Sequence, residues 1–297
     1  LNSGLGQDEA ALAAFVLRIP QIAFLRGYSA MSRSQRYLFA PKIGRFVTVS
    51  RYIAECAARD GIDPARITVA TPPAMLDPAA ADAVAAARAR HRLAPGDRVV
   101  GIFGRITPWK GQREFLHAAV LVLAELPQAK ALIVGDAAGP DLAYQAELEA
   151  FVRERGLQDR VVFAGYREDV HTYYGLVHVM AHCSVTPEPS GRVIFEAMSG
   201  GVAVVVSNLG GPKEFVEHGV DGFVVAPGDA QGLANYIVML LRDDGLRQSM
   251  GERARQKVAS RYGGESYARR VEEAYAAATA SGDGAPRTRA VGNPPGD

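Results

Sequence analysis

The chain has 297 residues, of which 48% are hydrophobic and 22% charged, and its formal net charge at pH 7 is +1. That length fits one large domain or two smaller ones, and the nearly balanced charge gives no electrostatic argument for nucleic-acid binding. No apolar run approaches the roughly 18 residues that would suggest a membrane span. The isolated Cys56 and Cys183 are expected to be buried or partly buried free thiols in a reducing compartment.

The first ninety residues contain few predicted elements. Residues 22–25 and 46–49 are candidate strands, and residues 50–60 form a predicted helix with the Ser50 hydroxyl as its N-cap. An alanine- and arginine-rich helix is predicted over residues 79–92. Two strands are too few for an independent doubly wound domain.

From about residue 98 onward, short apolar runs alternate with helical patterns. The predicted strands are 99–103, 131–134, 161–163, 177–181, 203–206 and 223–225. The predicted helices are 112–126, 142–155, 233–241, 246–260 and 266–278. This alternation is typical of an α/β fold with a doubly wound parallel sheet.

Two glutamates eight positions apart, Glu188 and Glu196, follow the predicted strand 177–181. In open α/β sheets the carboxyl ends of the strands are where ligands bind. A helix that begins there offers free N–H groups to phosphate, and carboxylates accept hydrogen bonds from sugar hydroxyls. The combination indicates a nucleotide-sugar site.

A second cluster follows the first strand of this region. Gly104 and Arg105 end that strand, and Lys110 precedes the next helix. Two fixed cations beside a helix N-terminus can stabilise the charge that develops on a departing diphosphate without a bound metal. Taken alone, each of these charges is better interpreted as solvated surface charge, but their joint position at strand ends favours a site.

Other residues invite a catalytic interpretation that the pattern does not favour. His182 and Cys183 resemble a metal-binding or nucleophilic pair, but they end a buried strand without partner spacing. We expect them to be structural. No metal site is predicted.

Together these motifs resemble glycosyltransferase family 4, whose members have the two Rossmann-like domains of the GT-B fold. The resemblance covers about residues 46–278. It is carried by Gly104-Arg105, Lys110-Gly111, Pro187-Glu188-Pro189, the spacing of Glu188 and Glu196, and Gly210-Gly211-Pro212-Lys213-Glu214.

The resemblance implies a retaining transferase that uses a nucleotide-diphosphate sugar, with no metal or other cofactor. It implies that Arg105 and Lys110 hold the diphosphate, that Glu188 contacts the sugar hydroxyls, and that Glu196 contacts the ribose; Arg105, Lys110 and Glu188 are the expected catalytic residues. The remaining donor-binding residues it implies are Gly104, Ser190, Gly191, Arg192 and Val193 at the sugar and phosphates, and Tyr166 and Arg167 at the base. For Glu214, a donor contact and a surface role stay equally open.

The expected organisation has four parts. Residues 1–95 are a partial N-terminal, acceptor-side domain with a linker, and residues 96–262 are a complete donor-binding Rossmann-like domain. Residues 263–280 are a terminal helix packing on the N-terminal part, and residues 281–297 a disordered tail. Because family members have a whole Rossmann domain before the linker, we expect donor binding by this chain more than turnover.

Two local departures from the family pattern affect these expectations. Ser190 stands where many relatives have phenylalanine, and the segment 71–74 (TPPA) replaces a usual Asn-Gly turn. The first bears on packing beside the sugar and the second on the linker between the domains.

Two alternatives to the transferase remain open. One is another GT-B-like enzyme, such as a nucleotide-sugar epimerase or phosphorylase, and the other is an inactive nucleotide-sugar-binding module. The expected partners are a nucleotide-sugar and an unidentified acceptor (a glycan, a lipid or a small molecule), without nucleic acid. The expected location is the cytoplasm, with contact to the inner membrane face left open.

Overall fold

The computed structural model describes residues 8–27 and 29–280, which divide into two compact units. Within that range the first unit contains residues 8–70 and 268–280, and the second contains residues 71–267. The predicted domain boundaries lay at residues 95 and 262, and the roles given to those domains stay predictions. The predicted disordered tail, 281–297, lies outside the described residues.

The first unit is built on a small parallel sheet. Its strands are β1 (Ile22–Leu25), β2 (Arg45–Thr48) and β3 (Ile67–Val69), in that order. The expectation of two strands was wrong. The third strand has only three residues, all half-buried, and so lacks the apolar run by which the other two were recognised.

Helices α1 (Asp8–Val16) and α2 (Arg51–Arg59) accompany this sheet. The predicted cap of α2 is confirmed, because the Ser50 hydroxyl accepts a hydrogen bond from the Ile53 N–H at 3.2 Å. The core between α2 and the sheet includes Phe46 and Ile53, both fully buried.

The second unit contains a six-stranded sheet in which every strand pair is parallel. Its strands are β4 (Arg98–Phe103), β5 (Ala129–Val134), β6 (Val161–Gly165), β7 (Val179–His182), β8 (Ala203–Ser207) and β9 (Phe223–Val225). Strand β7 begins two residues later than predicted, because the apolar Val177 packs into the core ahead of the strand. The prediction of six strands in this region is confirmed.

Helices cover both faces of this sheet. They are α3 (Ala81–Arg90), α4 (Gln112–Glu125), α5 (Leu142–Glu154), α6 (Val170–Tyr174), α7 (Arg192–Ser199), α8 (Pro212–Phe215), α9 (Ala230–Arg242) and α10 (Asp244–Arg261). The last helix, α11 (Gly264–Ala280), begins in this unit, but most of its residues belong to the first unit. Successive strand residues alternate between two cores: Ile102 packs with α4, α5 and α9, whereas Phe103 packs with α6, α7 and α10.

The strand order is β6-β5-β4-β7-β8-β9. From β4 the chain adds β5 and β6 on one side. It then crosses to the other side of β4, where it adds β7, β8 and β9. Such a reversal opens a crevice beyond the carboxyl ends of the two central strands. The segments that follow β4 and β7 meet at this crevice.

Both cysteines are buried and unpaired, as predicted. Burial raises the pKa of the Cys183 thiol, so this thiol is a poor nucleophile. Over residues 8–27 and 29–280, no helix has the length and apolar character needed to cross a bilayer.

Candidate functional site

An ion pair spans the crevice between β4 and β7. Lys110 lies in the turn between β4 and α4, and Glu188 lies in the loop between β7 and α7. The Lys110 Nζ is 2.6 Å from Glu188 Oε1, and the two side chains are only 16% and 9% exposed. The sequence predicted both residues as site residues, and the fold brings them into direct contact.

The second oxygen of Glu188 is held by His182, which the sequence pattern did not favour as a site residue, and by Ser184, which the sequence analysis did not consider. Glu188 Oε2 is 2.8 Å from His182 Nε2 and accepts a hydrogen bond from the Ser184 hydroxyl at 2.8 Å. Since an ionised carboxylate only accepts hydrogen bonds, the Nε2 of His182 carries the proton in this contact. His182, which the sequence analysis expected to be structural, thus contacts the central carboxylate of the cluster.

These contacts keep Glu188 ionised. Burial opposes ionisation, but the hydrogen bond from His182 and the Lys110 ammonium outweigh it and lower the pKa of Glu188 from 4.5 to about 2. A carboxylate with such a pKa is a weak base at neutral pH. It is suited to accepting hydrogen bonds and to stabilising positive charge.

Two glycines allow the backbone to assemble this cluster. Gly111 has φ +77°, and a Cβ there would lie 1.9 Å from the carbonyl oxygen of Cys183. Gly210 has φ +70°, and a Cβ there would lie 2.4 Å from the carbonyl oxygen of Glu188. The turn before α4 therefore approaches Cys183, directly after β7, and the loop at Gly210 approaches Glu188, both more closely than any side chain would permit.

The turn between β4 and α4 presents two cations in different surroundings. The Lys110 ammonium lies 4.4 Å from the centroid of the Trp109 ring as well as against Glu188. The side chain of Arg105 is exposed, and over the part of the chain that is described its guanidinium makes no ion pair. Its carbonyl accepts a hydrogen bond from the buried amide of Gln112 at 2.9 Å, which fixes the backbone of the turn.

Glu196 lies on α7 and is buried, with 8% of its surface exposed. Its Oε2 accepts a hydrogen bond from the Tyr174 hydroxyl at 3.0 Å, and its Oε1 lies 3.3 Å from the guanidinium of Arg192. Burial and then the charge of Glu196 raise the pKa of Tyr174 well above its ordinary value, so the hydroxyl remains a donor. Because it is buried and hydrogen-bonded, Glu196 is not a solvated charge on the helix surface.

Of the other predicted residues, three lie close to these carboxylates in the chain. Gly191 precedes α7 with φ +70°, Ser190 is half-buried beside it, and the carbonyl of Val193 lies 3.3 Å from the Tyr174 hydroxyl. Gly104 directly follows β4, and Lys110 Cε lies 4.0 Å from where the Cβ of a side chain at Gly104 would be.

Tyr166 and Arg167 lie at the end of β6, and the structure gives them no contact with Glu188 or Glu196. Tyr166 is 68% exposed, and its N–H donates to a carboxylate oxygen of Asp136 at 3.1 Å. Arg167 donates to the Ala164 carbonyl and lies 5.2 Å from the centroid of the Tyr173 ring. Asp136, which the sequence analysis did not single out, connects the ends of β5 and β6.

The chemistry available at the crevice follows from these contacts. An ionised carboxylate, an exposed guanidinium and a helix N-terminus can bind hydroxyl groups and an anion at the same edge of the sheet. Within the described ranges, no group of three or more His, Cys, Asp or Glu side chains is arranged to hold a metal ion.

The sequence matches a known family model, described as "Glycosyl transferases group 1", over residues 84–257. The chain is 32% identical over 166 residues to the N-acetyl-alpha-D-glucosaminyl L-malate synthase of Bacillus anthracis, covering 56% of this chain and 42% of that protein. It is 30% identical over 181 residues to the lipopolysaccharide core biosynthesis mannosyltransferase LpcC of Rhizobium leguminosarum bv. viciae, covering 61% of this chain and 51% of that protein. The chain thus matches about half the length of these curated relatives.

The fold is similar to that of the Anabaena protein Alr3699/HepE, solved in complex with UDP and glucose. The TM-score is 0.80 at 29% sequence identity, over 90% of this chain and 74% of the Anabaena chain. The predicted fold class, α/β with parallel sheets and of the GT-B type, is confirmed.

Proposed function

The chain belongs to the group 1 glycosyl transferases, and on that premise we propose that it binds a nucleotide-diphosphate sugar for transfer of the sugar to an acceptor. We further propose that transfer retains the anomeric configuration and needs no metal. The observation that carries the proposal is the contact between Lys110 and Glu188 across the central crevice of the sheet.

The diphosphate is assigned to the cations of the β4–α4 turn. Lys110 and Arg105 bring two cationic side chains to the turn that follows Gly104, and α7 begins directly after Gly191, close in the chain to Glu188. Negative charge grows on the diphosphate as the bond to the sugar breaks, and fixed cations and N–H dipoles lower the free energy of that state. Lys110 is already oriented by Glu188 and by the Trp109 ring.

The sugar is assigned to Glu188. Its pKa of about 2 makes it an acceptor for sugar hydroxyls rather than a general base. Glycosyl transfer passes through a transition state with positive charge on the sugar ring, and a carboxylate held ionised in a buried setting stabilises such charge. His182 and Ser184 contribute by fixing the orientation of the Glu188 carboxylate.

The nucleoside is assigned to Glu196 and to the end of β6. The Tyr174 hydroxyl holds one oxygen of Glu196, which leaves the carboxylate further lone pairs for ribose hydroxyls. Tyr166, Arg167 and Asp136 would lie along the base, with Ser190, Arg192 and Val193 beside the sugar and phosphates. The similar Anabaena protein was solved in complex with UDP and glucose, which supports the binding of a nucleotide-sugar by this chain.

Isothermal titration calorimetry of the 297-residue chain with UDP-, GDP- and ADP-sugars tests the proposal. We expect one sugar nucleotide to bind, and we expect Glu188→Gln to weaken that binding about 10- to 100-fold, the effect of losing a charge-assisted hydrogen bond. Glu154→Gln, at an exposed position of α5, is the matched control and should bind like the native chain. Failure of every sugar nucleotide to bind would exclude the proposed donor site.

Transfer itself needs a separate measurement. With a labelled sugar nucleotide, product analysis distinguishes a transferase, which requires an acceptor, from an epimerase, which does not. Retention is read from the anomeric configuration of the product by NMR, and activity that persists in excess chelator supports independence from metal ions. An inverted product would contradict the retaining mechanism.

A further inference from the structure

The first unit contains a cavity of about 560 Å³ whose charged lining residues are all basic. Its lining includes Arg18, Lys42, Arg45 and Arg66, and these four residues define what we call the basic cavity. None of the described residues that line it is acidic. The volume is in the usual range for small-molecule sites, about 300–1,000 Å³.

The basic cavity lies at the amino-terminal edge of the small sheet. Arg45 is the first residue of β2, and Arg66 immediately precedes β3. Ligands of parallel sheets ordinarily bind at the opposite edge, beyond the carboxyl ends of the strands. The residues that line the basic cavity all belong to the first unit, whereas those of the proposed donor site belong to the second.

The positive charges of the basic cavity have no ion-pair partner in the described part of the chain. None of its four cations makes a salt bridge to a carboxylate of the described residues. Arg66 and Arg45 donate instead to backbone carbonyls, those of Ala40 and Ala65 among them. Burial lowers the pKa of Arg66, and neighbouring Arg45 also lowers it, although Asp63 acts in the opposite direction.

Two details indicate that this charge is available to a ligand. The Nε of Arg45 is buried without a hydrogen-bond partner, and an unmade hydrogen bond on a buried charged group is costly. Lys42 is held 4.2 Å from the centroid of the Phe15 ring, a cation–π contact that leaves its ammonium free to bind an anion. Arginine guanidinium groups match the geometry of phosphate oxygens.

The rest of the lining is apolar and includes Phe15, Ile19, Pro20, Pro41 and Ile43. We propose that the basic cavity binds a phosphomonoester that carries an apolar group. A phosphomonoester has close to two negative charges and three acceptor oxygens, so it suits four cations better than a carboxylate does. The apolar group occupies the volume that the phosphate leaves.

The test uses n-hexyl phosphate as the probe in calorimetry with the full 297-residue chain. We expect saturable 1:1 binding of hexyl phosphate, and binding at least about tenfold weaker for hexanoate and for inorganic phosphate. Absence of binding at about 1 mM hexyl phosphate, the weak end of specific affinity, would overturn the proposal, as would equal affinity for hexanoate.

The chain offers a matched pair of variants for this test. Arg18 and Arg92 are the two non-glycine residues with positive φ in the described structure, at 55° and 53°, and both are exposed. Asparagine tolerates this backbone region, so Arg18→Asn and Arg92→Asn make the same change in charge and in conformational preference. Only Arg18 lines the basic cavity, so only Arg18→Asn should weaken hexyl phosphate binding, by about tenfold. Equal loss in both variants would show that binding depends only on overall charge.

Arg45→Gln supplies a second variant at the buried guanidinium, with circular dichroism as the check on folding. If it remains folded and still binds hexyl phosphate like the native chain, the proposal fails. Flotation with phosphatidylcholine vesicles, with and without phosphatidic acid, identifies the source of the ligand. Binding to phosphatidic acid vesicles indicates a lipid phosphate, and binding to hexyl phosphate alone indicates a free phosphomonoester.

Discussion

The ammonium of Lys110 lies 2.6 Å from Oε1 of Glu188, although the two residues follow different strands and are far apart in the chain. The contact is largely shielded from water, and the other oxygen of the same carboxylate is held by His182 and Ser184. Removing one member of such a pair leaves a charge that is both buried and uncompensated. The pair is therefore a structural element as well as a proposed donor contact.

We expect Lys110→Gln to lower the free energy of unfolding by about 3 kcal/mol, because Glu188 loses its counter-charge while remaining buried. Urea denaturation measures this change. Arg242→Gln is the control, since Arg242 and Glu125 form an exposed pair at 2.8 Å, and its loss should cost no more than about 1 kcal/mol. Equal losses in the two variants would mean that Lys110 and Glu188 behave as a surface pair.

The stabilisation from Glu188 should depend on pH in a defined window. Its pKa is lowered from 4.5 to about 2 in the folded state, so its stabilisation is complete above about 4.5 and disappears as the pH falls towards 2. Urea unfolding should therefore show Glu188→Gln to be less stable than the native chain near neutral pH, with the difference shrinking below about 4.5. A difference that stays constant throughout acid titration would contradict this account. Glu154→Gln should match the native chain at both ends of the range.

His182 should control the ionisation of Glu188. In His182→Ala the carboxylate stays buried but loses a hydrogen-bond donor, and burial alone raises its pKa. The pKa of Glu188, followed by the ¹³C chemical shift of its carboxyl carbon, should therefore rise well above the native value. His182→Gln retains an N–H donor and should raise it less. The same pKa of Glu188 in both variants would show that the hydrogen bond from residue 182 does not influence the ionisation of Glu188.

Gly210 should be intolerant of any side chain. In Gly210→Ala the new Cβ would meet the backbone of Glu188, in addition to the strain of positive φ. Gly219→Ala is the matched control, because Gly219 has φ +79° but nothing within 4 Å of its Cβ position. We expect the control to lose about 1 kcal/mol of stability, and Gly210→Ala to lose more and also to weaken sugar-nucleotide binding. Retained binding in folded Gly210→Ala would contradict the role of this close approach.

Most strands and helices of the second unit could be predicted from the sequence, because the patterns that indicate them are local. The apolar run of β4 and the periodicity of α4 each depend on neighbouring residues, so the predicted and observed bounds nearly coincide. The contacts at the crevice are not local. His182 meets Glu188 only because the loop after β7 turns back, a geometry that depends on Gly210 from a later segment. The three residues of β3 were missed for a different reason, since a short, half-buried strand has little pattern of its own.

The order of the strands also has a consequence for how the protein folds. Every other neighbouring pair in the large sheet joins consecutive strands, whereas β4 pairs with β7 across the whole of β5, β6 and their helices. Closing the longest loop costs the most chain entropy, and non-local pairings slow folding. We therefore expect Lys110 and Glu188 to meet late, after the two halves of the sheet have formed. A partly folded chain would have most of its secondary structure and no affinity for a sugar nucleotide, so ligand capture during refolding would report the final step of assembly.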